Sequence, residues 1–285
     1  MNPIDIDLFC PKCLNFIANL NISNSAFEHK CTQCNTAYGN LCGVPNMMVF
    51  QEKDENRNLL HNSKLLPKQN SNYLQIPFII EALNSREKVL ELGAGFDSAN
   101  NANLIKTDAY LYSTELHCLA DAHKLPFEDN SFGYVYSLAV FEHLHSPWIA
   151  ANEIYRVLKP GGKVFTLTAF MQHMHGYPHH YFNMTTYGLR RIFKSFNILK
   201  CEASIHSSIN EIAYILCDLN FVLNQQLKDT PICKNELQNV NKSVDLFCRN
   251  IGKLNNQLHN SKDLNLMDYS KIAPAIEIIA EKPDY

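Results

Sequence analysis

Three groups of residues in this sequence have the types and spacing to do chemistry. In Lys88-Val-Leu-Glu-Leu-Gly-Ala-Gly95 an apolar run passes straight into an acid and two glycines spaced for a tight turn. Val89 and Leu90 read as a buried parallel strand, and Gly93 and Gly95 lack the side chains that would hold a ligand away from the backbone amides. A ligand with a diffuse charge or a dipolar tail suits such a turn. A lone Gly-x-Gly is equally an ordinary strand-to-helix turn, so its surroundings must decide. The second group is Cys10-Pro-Lys-Cys13 and Cys31-Thr-Gln-Cys34, two Cys-x-x-Cys knuckles with 17 residues between them. This is the spacing of a four-thiolate zinc ribbon, in which the metal contributes on the order of 10 kcal/mol to a segment too small to fold on its own core. A pair of disulfides fits less well, because Met1-Asn-Pro-Ile-Asp5 has neither the basic region nor the apolar core of a secretory leader. A closed four-sulfur site leaves no position for a substrate, so such a zinc organises structure or a partner surface. The third group is Phe170-Met-Gln-His-Met-His-Gly-Tyr-Pro-His-His-Tyr-Phe-Asn-Met-Thr185, where His173, His175, His179 and His180 crowd together in a chain with 12 histidines. An imidazole near its ordinary pKa can take a proton from a hydroxyl nucleophile, a contribution of ~10²- to 10⁴-fold. His175 reads as a general base or substrate contact, against a loop histidine that fixes a turn; His180 reads as a substrate-positioning or metal-binding group. A second metal among these four histidines has no obvious carboxylate partner. His143, beside Glu142, either lines the same site or caps the loop that follows it.

These groups need elements to hold them. Asn103–Asp108 reads as a second short strand with an acidic end, and Cys118–Phe127 as a third that ends near Asp121. Acids at successive strand tips converge on one crevice at the carboxyl edge of a parallel sheet. An acid at the second tip suits a ribose diol, and one at the third suits the exocyclic amine of adenine. Ser131–Val140 is aromatic and β-branched, a strand composition, and is followed by Phe141-Glu-His-Leu144. The next helix has Ser146 as N-cap, Pro147 in its first turn, Ile154, Val157 and Leu158 on one face, and Lys159-Pro-Gly-Gly162 as its stop. A fifth strand, Lys163–Thr168, completes a β-α-β series. Residues 72 to 84 suit a helix beside the first strand, 196 to 204 a sixth strand, and 275 to 280 a seventh. The expected organisation is a ribbon module at 1–50, a polar connector at 51–71, and a catalytic domain at 72–285 with a helical insertion at about 207–270. That insertion could serve as a lid, as a contact between copies of the chain, or as a solvated excursion.

At this point the residues resemble the class I S-adenosylmethionine-dependent methyltransferases, in particular the methyltransferase type 11 group. The resemblance covers roughly residues 86 to 196. It rests on Glu91-Leu-Gly-Ala-Gly95, Asp121-Ala-His-Lys-Leu-Pro-Phe127, Asn130-Ser-Phe132, Phe141-Glu-His143 and Glu153-Ile-Tyr-Arg-Val-Leu-Lys-Pro-Gly-Gly162. It implies an α/β fold with a Rossmann-like, seven-stranded sheet whose last strand is antiparallel. It also implies S-adenosyl-L-methionine as cofactor, with Glu91, Gly93, Ala94 and Gly95 at the methionine end, Asp108 at the ribose, Asp121 and Ala122 at the adenine, and Leu138 alongside. Two departures stand out. Only 12 residues separate Gly95 from Asp108, so the usual first helix is very short or absent, and the familiar Phe-Asp before the fourth strand is Phe132-Gly133. Ala37–Pro45 resembles the tail of small Trm112-like zinc ribbons. The histidine-rich stretch resembles a His-Gly-x-Pro…Tyr…Thr segment of a subset of type 11 enzymes, matched here by His175, Tyr181 and Thr185. The catalytic candidates are therefore His143, His175, His180 and Tyr181, with Cys10, Cys13, Cys31 and Cys34 as ligands of a structural zinc.

Composition narrows the function further. The chain has 285 residues, 46% hydrophobic and 19% charged, enough for one large core and a small module. No apolar run approaches the ~20 residues of a membrane span, which with the missing leader gives a cytoplasmic expectation. Cys42, Cys118, Cys201, Cys217, Cys233 and Cys248 show no paired spacing and read as reduced, mostly buried small hydrophobes. Three functions remain: methylation of a small molecule, most simply on oxygen of a sugar or secondary metabolite; methylation of RNA with the ribbon reading the substrate; and a non-catalytic partner protein. A net charge of −3, and six acids against six Lys plus Arg in residues 1 to 70, argue against a nucleic-acid groove. Intact Glu91, Gly93, Gly95 and Asp121 argue against a retired site.

Overall fold

A computed structural model of the chain describes residues 6–20, 28–48, 75–95, 99–113, 115–172, 174–175, 179–204, 209–227, 234–260 and 275–284. At the N-terminus β1 (Ile6–Phe9) and β2 (Phe16–Leu20) form an antiparallel hairpin. β3 (His29–Lys30), β4 (Ala37–Leu41) and β5 (Val44–Asn46) follow, and α1 (Pro77–Asn84) leads into the first strand of the main sheet. That strand, β6 (Val89–Leu92), lies between β7 (Leu104–Asp108) and β9 (Phe132–Leu138); β8 (Cys118–Leu119) flanks β7. α2 (Pro147–Val157) delivers the chain to β10 (Leu158–Ala169), and α3 (Thr186–Ile192) to β11 (Asn197–Ala203). Two long helices, α4 (Ile209–Leu227) and α5 (Lys234–Asn260), precede β12 (Ala275–Glu281).

The strands join in the order β11-β12-β10-β9-β6-β7-β8-β5-β4-β3. β10, β9, β6, β7 and β8 run parallel, and β12 enters antiparallel between β10 and β11. Both faces of the parallel strands are covered, which is why they read as continuous apolar runs. On one face Ile76, Phe78, Ile79 and Ala82 of α1 bury Val89, Leu104, Tyr136 and Phe165. On the other, Ile154 and Val157 of α2 and Leu189 of α3 bury Leu90, Val135, Val164 and Ile278. The strand order reverses between β6 and β9, the place where open α/β sheets present a ligand crevice.

Of the N-terminal strands, β5, β4 and β3 continue this sheet, giving ten strands where seven were expected, while β1 and β2 form a separate two-stranded hairpin. Asn46 of β5 pairs in parallel with Leu119 of β8, the Met47 amide donates to the Leu119 carbonyl at 2.9 Å, and the Phe9 amide donates to the Pro126 carbonyl at 2.9 Å. Ile6, Leu8, Tyr38 and Met47 belong to the same buried cluster as Leu90 and Ile105.

Several local expectations are corrected. β10 begins at Leu158, not Lys163; Leu158 faces Phe132, and Lys159–Gly162 then loop out before pairing resumes at Lys163 with Tyr134. Pro160 has no amide to donate, and Gly161 has φ of +71°, so this stretch cannot lie in the ladder. Ser146 occupies the N-cap of α2 but makes no side-chain cap; its hydroxyl lies 2.9 Å from His145 Nδ1 instead. Gly133 stands where an aspartate was expected because the Glu87 side chain occupies the space: a Cβ on Gly133 would lie 2.5 Å from Glu87 Cβ. Glu87 is in turn paired with Lys159 across the sheet edge. Cys118 and Cys201 are buried, but Cys42 and Cys217 are exposed, and Cys217 Sγ lies 3.1 Å from Cys248 Sγ; Cys233 falls outside the described residues. Among the described residues no helix is long and apolar enough to cross a membrane.

Candidate active site

The glycine turn leaves β6 with Gly93 at φ +71° and Gly95 at +61°. The Gly93 and Ala94 amides both donate to the Thr107 carbonyl, at 2.9 and 3.0 Å, which ties the turn to the neighbouring strand tip. A Cβ on Gly93 would lie 2.3 Å from Val140 Cγ2, in the segment that leaves β9. The Val140 side chain thus lies against the turn's backbone at a distance that only glycine permits. Asp108, at the tip of β7, accepts the Gly95 amide at Oδ2 (3.0 Å) and the Tyr110 amide at Oδ1 (2.9 Å). Burial nevertheless pushes its carboxyl up from 3.8 to about 6, against those hydrogen bonds. Glu91 is buried within β6 beside Tyr136, whose phenol is pushed up by burial and then by that carboxylate. Leu138 ends β9 in the cluster beneath α1.

Asp121 follows β8. Its Oδ1 accepts the His123 amide at 2.9 Å and lies 2.7 Å from His123 Nδ1. The Ser146 amide donates to His123 Nε2 at 3.3 Å, so the hydrogen-bond pattern assigns the ring proton to Nδ1. Burial alone would raise Asp121, but the hydrogen bonds from His123 hold it below the usual carboxylate range. The His123 ring stacks on His145 at 4.2 Å. The residue just past this turn, Ala122, packs against the main core. Glu91, Gly93–Gly95, Asp108, Asp121–Ala122 and Leu138 therefore lie along or just past the carboxyl ends of four adjacent strands.

A second constellation starts at the 3-10 turn Phe141–His143, one residue beyond Val140. His143 Nδ1 lies 2.7 Å from the His179 carbonyl; since a carbonyl only accepts, Nδ1 carries the proton and Nε2 presents a lone pair. Burial lowers the His143 pKa, favouring this neutral form. The His175 and His180 rings lie 5.0 and 5.7 Å from the His143 ring and 4.4 Å from each other. His180 Nδ1 accepts the His175 amide at 3.1 Å and Nε2 lies 3.2 Å from Asn183 Oδ1, so both ring nitrogens are committed to holding the loop. Tyr181 lies apart from these three rings: it is about half exposed, with its hydroxyl 3.2 Å from His179 Nδ1 and its ring 6.3 Å from His145. His173 lies outside the described residues.

Sequence reasoning missed Glu142, Thr168, His123 and His145. Glu142 is fully buried; Oε2 accepts the Thr168 hydroxyl at 2.8 Å, and its carbonyl accepts the Tyr181 and Phe182 amides at 2.8 and 3.2 Å. The carboxyl is pushed up by burial. The available signal for Glu142 was its place in Phe141-Glu-His143, and for His123 its place two residues after Asp121, where an Asx turn returns the ring to the carboxylate.

The four cysteines also converge. The two knuckles repeat each other: the Cys10 amide donates to Asn15 and the Cys31 amide to Thr36, while the Leu14 and Asn35 amides return to the Cys10 and Cys31 carbonyls. Leu14 and Asn35 both take positive φ, 57° and 59°. One Sγ from each cysteine lies within 4.8 Å of all the others, with 3.5 Å for both Cys10–Cys34 and Cys13–Cys31. A tetrahedral zinc with ~2.3 Å bonds sets its sulfurs about 3.8 Å apart, so the donor set fits that cation. Hydrogen bonds from the Thr36 hydroxyl and amide hold the Cys34 thiol down at about 6.

A sequence profile described as a methyltransferase domain matches residues 93–166, the stretch from the glycine turn into β10. A demethylmenaquinone methyltransferase of Oceanobacillus iheyensis is 32% identical over 102 residues, 36% of this chain and 42% of that protein, so this chain matches less than half of its length. The cyclase SpnF is similar in structure at 17% identity and a TM-score of 0.46, over 75% of this chain and 81% of that one. So is phosphoethanolamine N-methyltransferase 2 of Haemonchus contortus, solved with S-adenosyl-L-methionine, at 20% identity and a TM-score of 0.41, over 75% of this chain and 52% of that one.

Proposed function

We propose that this chain transfers the methyl group of S-adenosylmethionine to a small molecule, most simply to oxygen of a sugar or secondary metabolite. The observation that carries the reading is the meeting of the glycine turn and the imidazole cluster at the sheet's switch point, through Gly93, Val140 and His143. Glu91 and the Gly93–Gly95 turn would hold the methionine end, Asp108 the ribose hydroxyls, and Asp121 with Ala122 the adenine. The cofactor, when bound, supplies an already activated methyl group on a sulfonium. What this chain must add is an acceptor held in line and a place for its proton. His143 is held neutral with Nε2 as acceptor, His175 faces it, and His180 anchors the segment that carries His175. Tyr181 and His145 line the approach from the solvent side.

Cys10, Cys13, Cys31 and Cys34 hold a structural zinc in this reading, and the helical insertion is the surface for self-association, since its hairpin exposes Phe221, Leu246 and Phe247. The resemblance to a demethylmenaquinone methyltransferase supports a second reading in which the acceptor is a quinone. Calorimetric titration with S-adenosylhomocysteine, followed by a tritiated-methyl assay on sugar, metabolite, quinone and RNA pools, separates these. No nucleoside binding sinks the proposal, and label confined to RNA replaces it. His175→Ala should cut turnover at least ~10-fold with S-adenosylhomocysteine affinity nearly unchanged.

A further inference from the structure

We propose that Glu142, His143 and His175 form a second metal site, for one divalent transition cation, separate from the four-cysteine cluster. One carboxylate oxygen and one nitrogen from each ring lie within 4.8 Å of one another. Two imidazoles and a carboxylate are a donor set for zinc, manganese, cobalt or iron(II), and three protein ligands leave positions open on the cation.

Three further features fit ligation. Metal-bound imidazoles donate their other ring N–H to a fixed acceptor, and His143 does so to the His179 carbonyl at 2.7 Å. Ligating carboxylates are themselves held by a hydrogen bond, as Glu142 Oε2 is by the Thr168 hydroxyl at 2.8 Å. The other oxygen, Glu142 Oε1, is buried and has no hydrogen-bond partner among the described residues. An isolated carboxylate so placed is costly, and a cation offsets that cost. His180 is not a ligand: its two nitrogens are committed to the His175 amide and Asn183, and its work is to position His175.

The site's first ligand, Glu142, lies two residues beyond Val140, whose methyl covers Gly93, which sets the site beside the glycine turn. On the methyltransferase reading, this narrows the acceptor to one whose oxygens can enter the open positions: a vicinal diol, a catechol or a hydroxy-carbonyl compound. The cation lowers the pKa of the bound hydroxyl. The O–H bond breaks and its proton leaves to water, the O–CH₃ bond forms, the S–CH₃ bond breaks, and the sulfonium electron pair returns to a neutral thioether. His143 and His175 then act as ligands, and the cation does what a free imidazole base would do.

The test uses the full chain with its cysteine cluster loaded with zinc, dialysed and titrated calorimetrically with manganese(II) and cobalt(II), the bound metal being counted by elemental mass spectrometry. The expected result is one cation beyond the cysteine cluster, with cobalt showing no sulfur charge-transfer band from this site. Glu142→Gln and His175→Ala should each weaken it at least ~10-fold, while S-adenosylhomocysteine still binds. Only one metal in the wild-type chain, or a second that both variants retain at full affinity, overturns the site. Loss of S-adenosylhomocysteine binding in the wild type instead overturns the methyltransferase reading and leaves the metal count to be judged separately. His175→Ala separates ligand from base: a ligand loses cation affinity and turnover together, a plain base turnover alone.

Discussion

At Gly93 the backbone has φ of +71° and an added Cβ would meet Val140 Cγ2 at 2.3 Å, so strain and collision act together. Gly93→Ala should cost about 1–3 kcal/mol of stability and reduce S-adenosylhomocysteine affinity at least ~10-fold, read by urea unfolding and calorimetry. An alanine variant that binds normally removes this turn from the cofactor site. Asp108 gives a pH signature. Its carboxyl is raised to about 6 in the folded chain by burial and titrates at 3.8 in the reference state. The folded protein therefore holds this proton more tightly. The resulting stabilisation is complete below pH ~4 and lost as pH rises through about 6, about 3 kcal/mol for the unliganded chain. Ionised Asp108 is the better acceptor for ribose hydroxyls, so S-adenosylhomocysteine affinity should rise over the same window. A flat affinity between pH 5 and 7 would detach Asp108 from the ribose role.

Between elements, Arg156 and Glu153 tie Glu153-Ile-Tyr-Arg156 to Leu125-Pro-Phe127. From α2, Arg156 Nη2 donates to the Leu125 carbonyl at 2.9 Å and Nη1 to the Phe127 carbonyl at 2.6 Å, while Glu153 Oε2 accepts the Leu125 amide at 2.8 Å. The loop after β8 is thereby clamped to the helix after β9, and its Pro126 carbonyl is left to receive the Phe9 amide of the N-terminal hairpin. Arg156→Ala would leave two carbonyls without their donor and remove the ion pairs to Glu153 and Asp129, a loss of ~2–4 kcal/mol in denaturant unfolding with m unchanged. A change under ~0.5 kcal/mol would show that the clamp is redundant. The long insertion is pinned differently: Asn224 and Asn241 exchange amide hydrogen bonds of 2.8 and 3.0 Å between α4 and α5.

For the whole molecule, the N-terminal strands matter because they reach the glycine turn. Val44, with Leu41 and Met48, packs in one cluster with Ala94, Leu111 and Leu119. Losing the cysteine cluster should loosen that packing, so Cys13→Ser should abolish zinc retention, lower Tm and weaken S-adenosylhomocysteine binding ~5-fold or more. Unchanged nucleoside affinity in that variant would make the N-terminal strands energetically separate. This packing was not legible in the sequence, where residues 1–50 read as a self-contained module. The sequence by itself determined the centres of the main strands and the two knuckles, though not that the third strand is only Cys118–Leu119, because apolar runs, turn glycines and Cys-x-x-Cys spacing act over a few residues. It also determined which residues stand at the strand tips, since each tip closes its own local motif. Only the tertiary structure decided that Glu142 meets His175, that the Ser146 amide fixes the His123 ring, and that Cys217 meets Cys248. Those contacts join residues that the chain separates by a strand, a helix or a loop. Their geometry is set by how the sheet twists and which face each helix covers, not by local spacing.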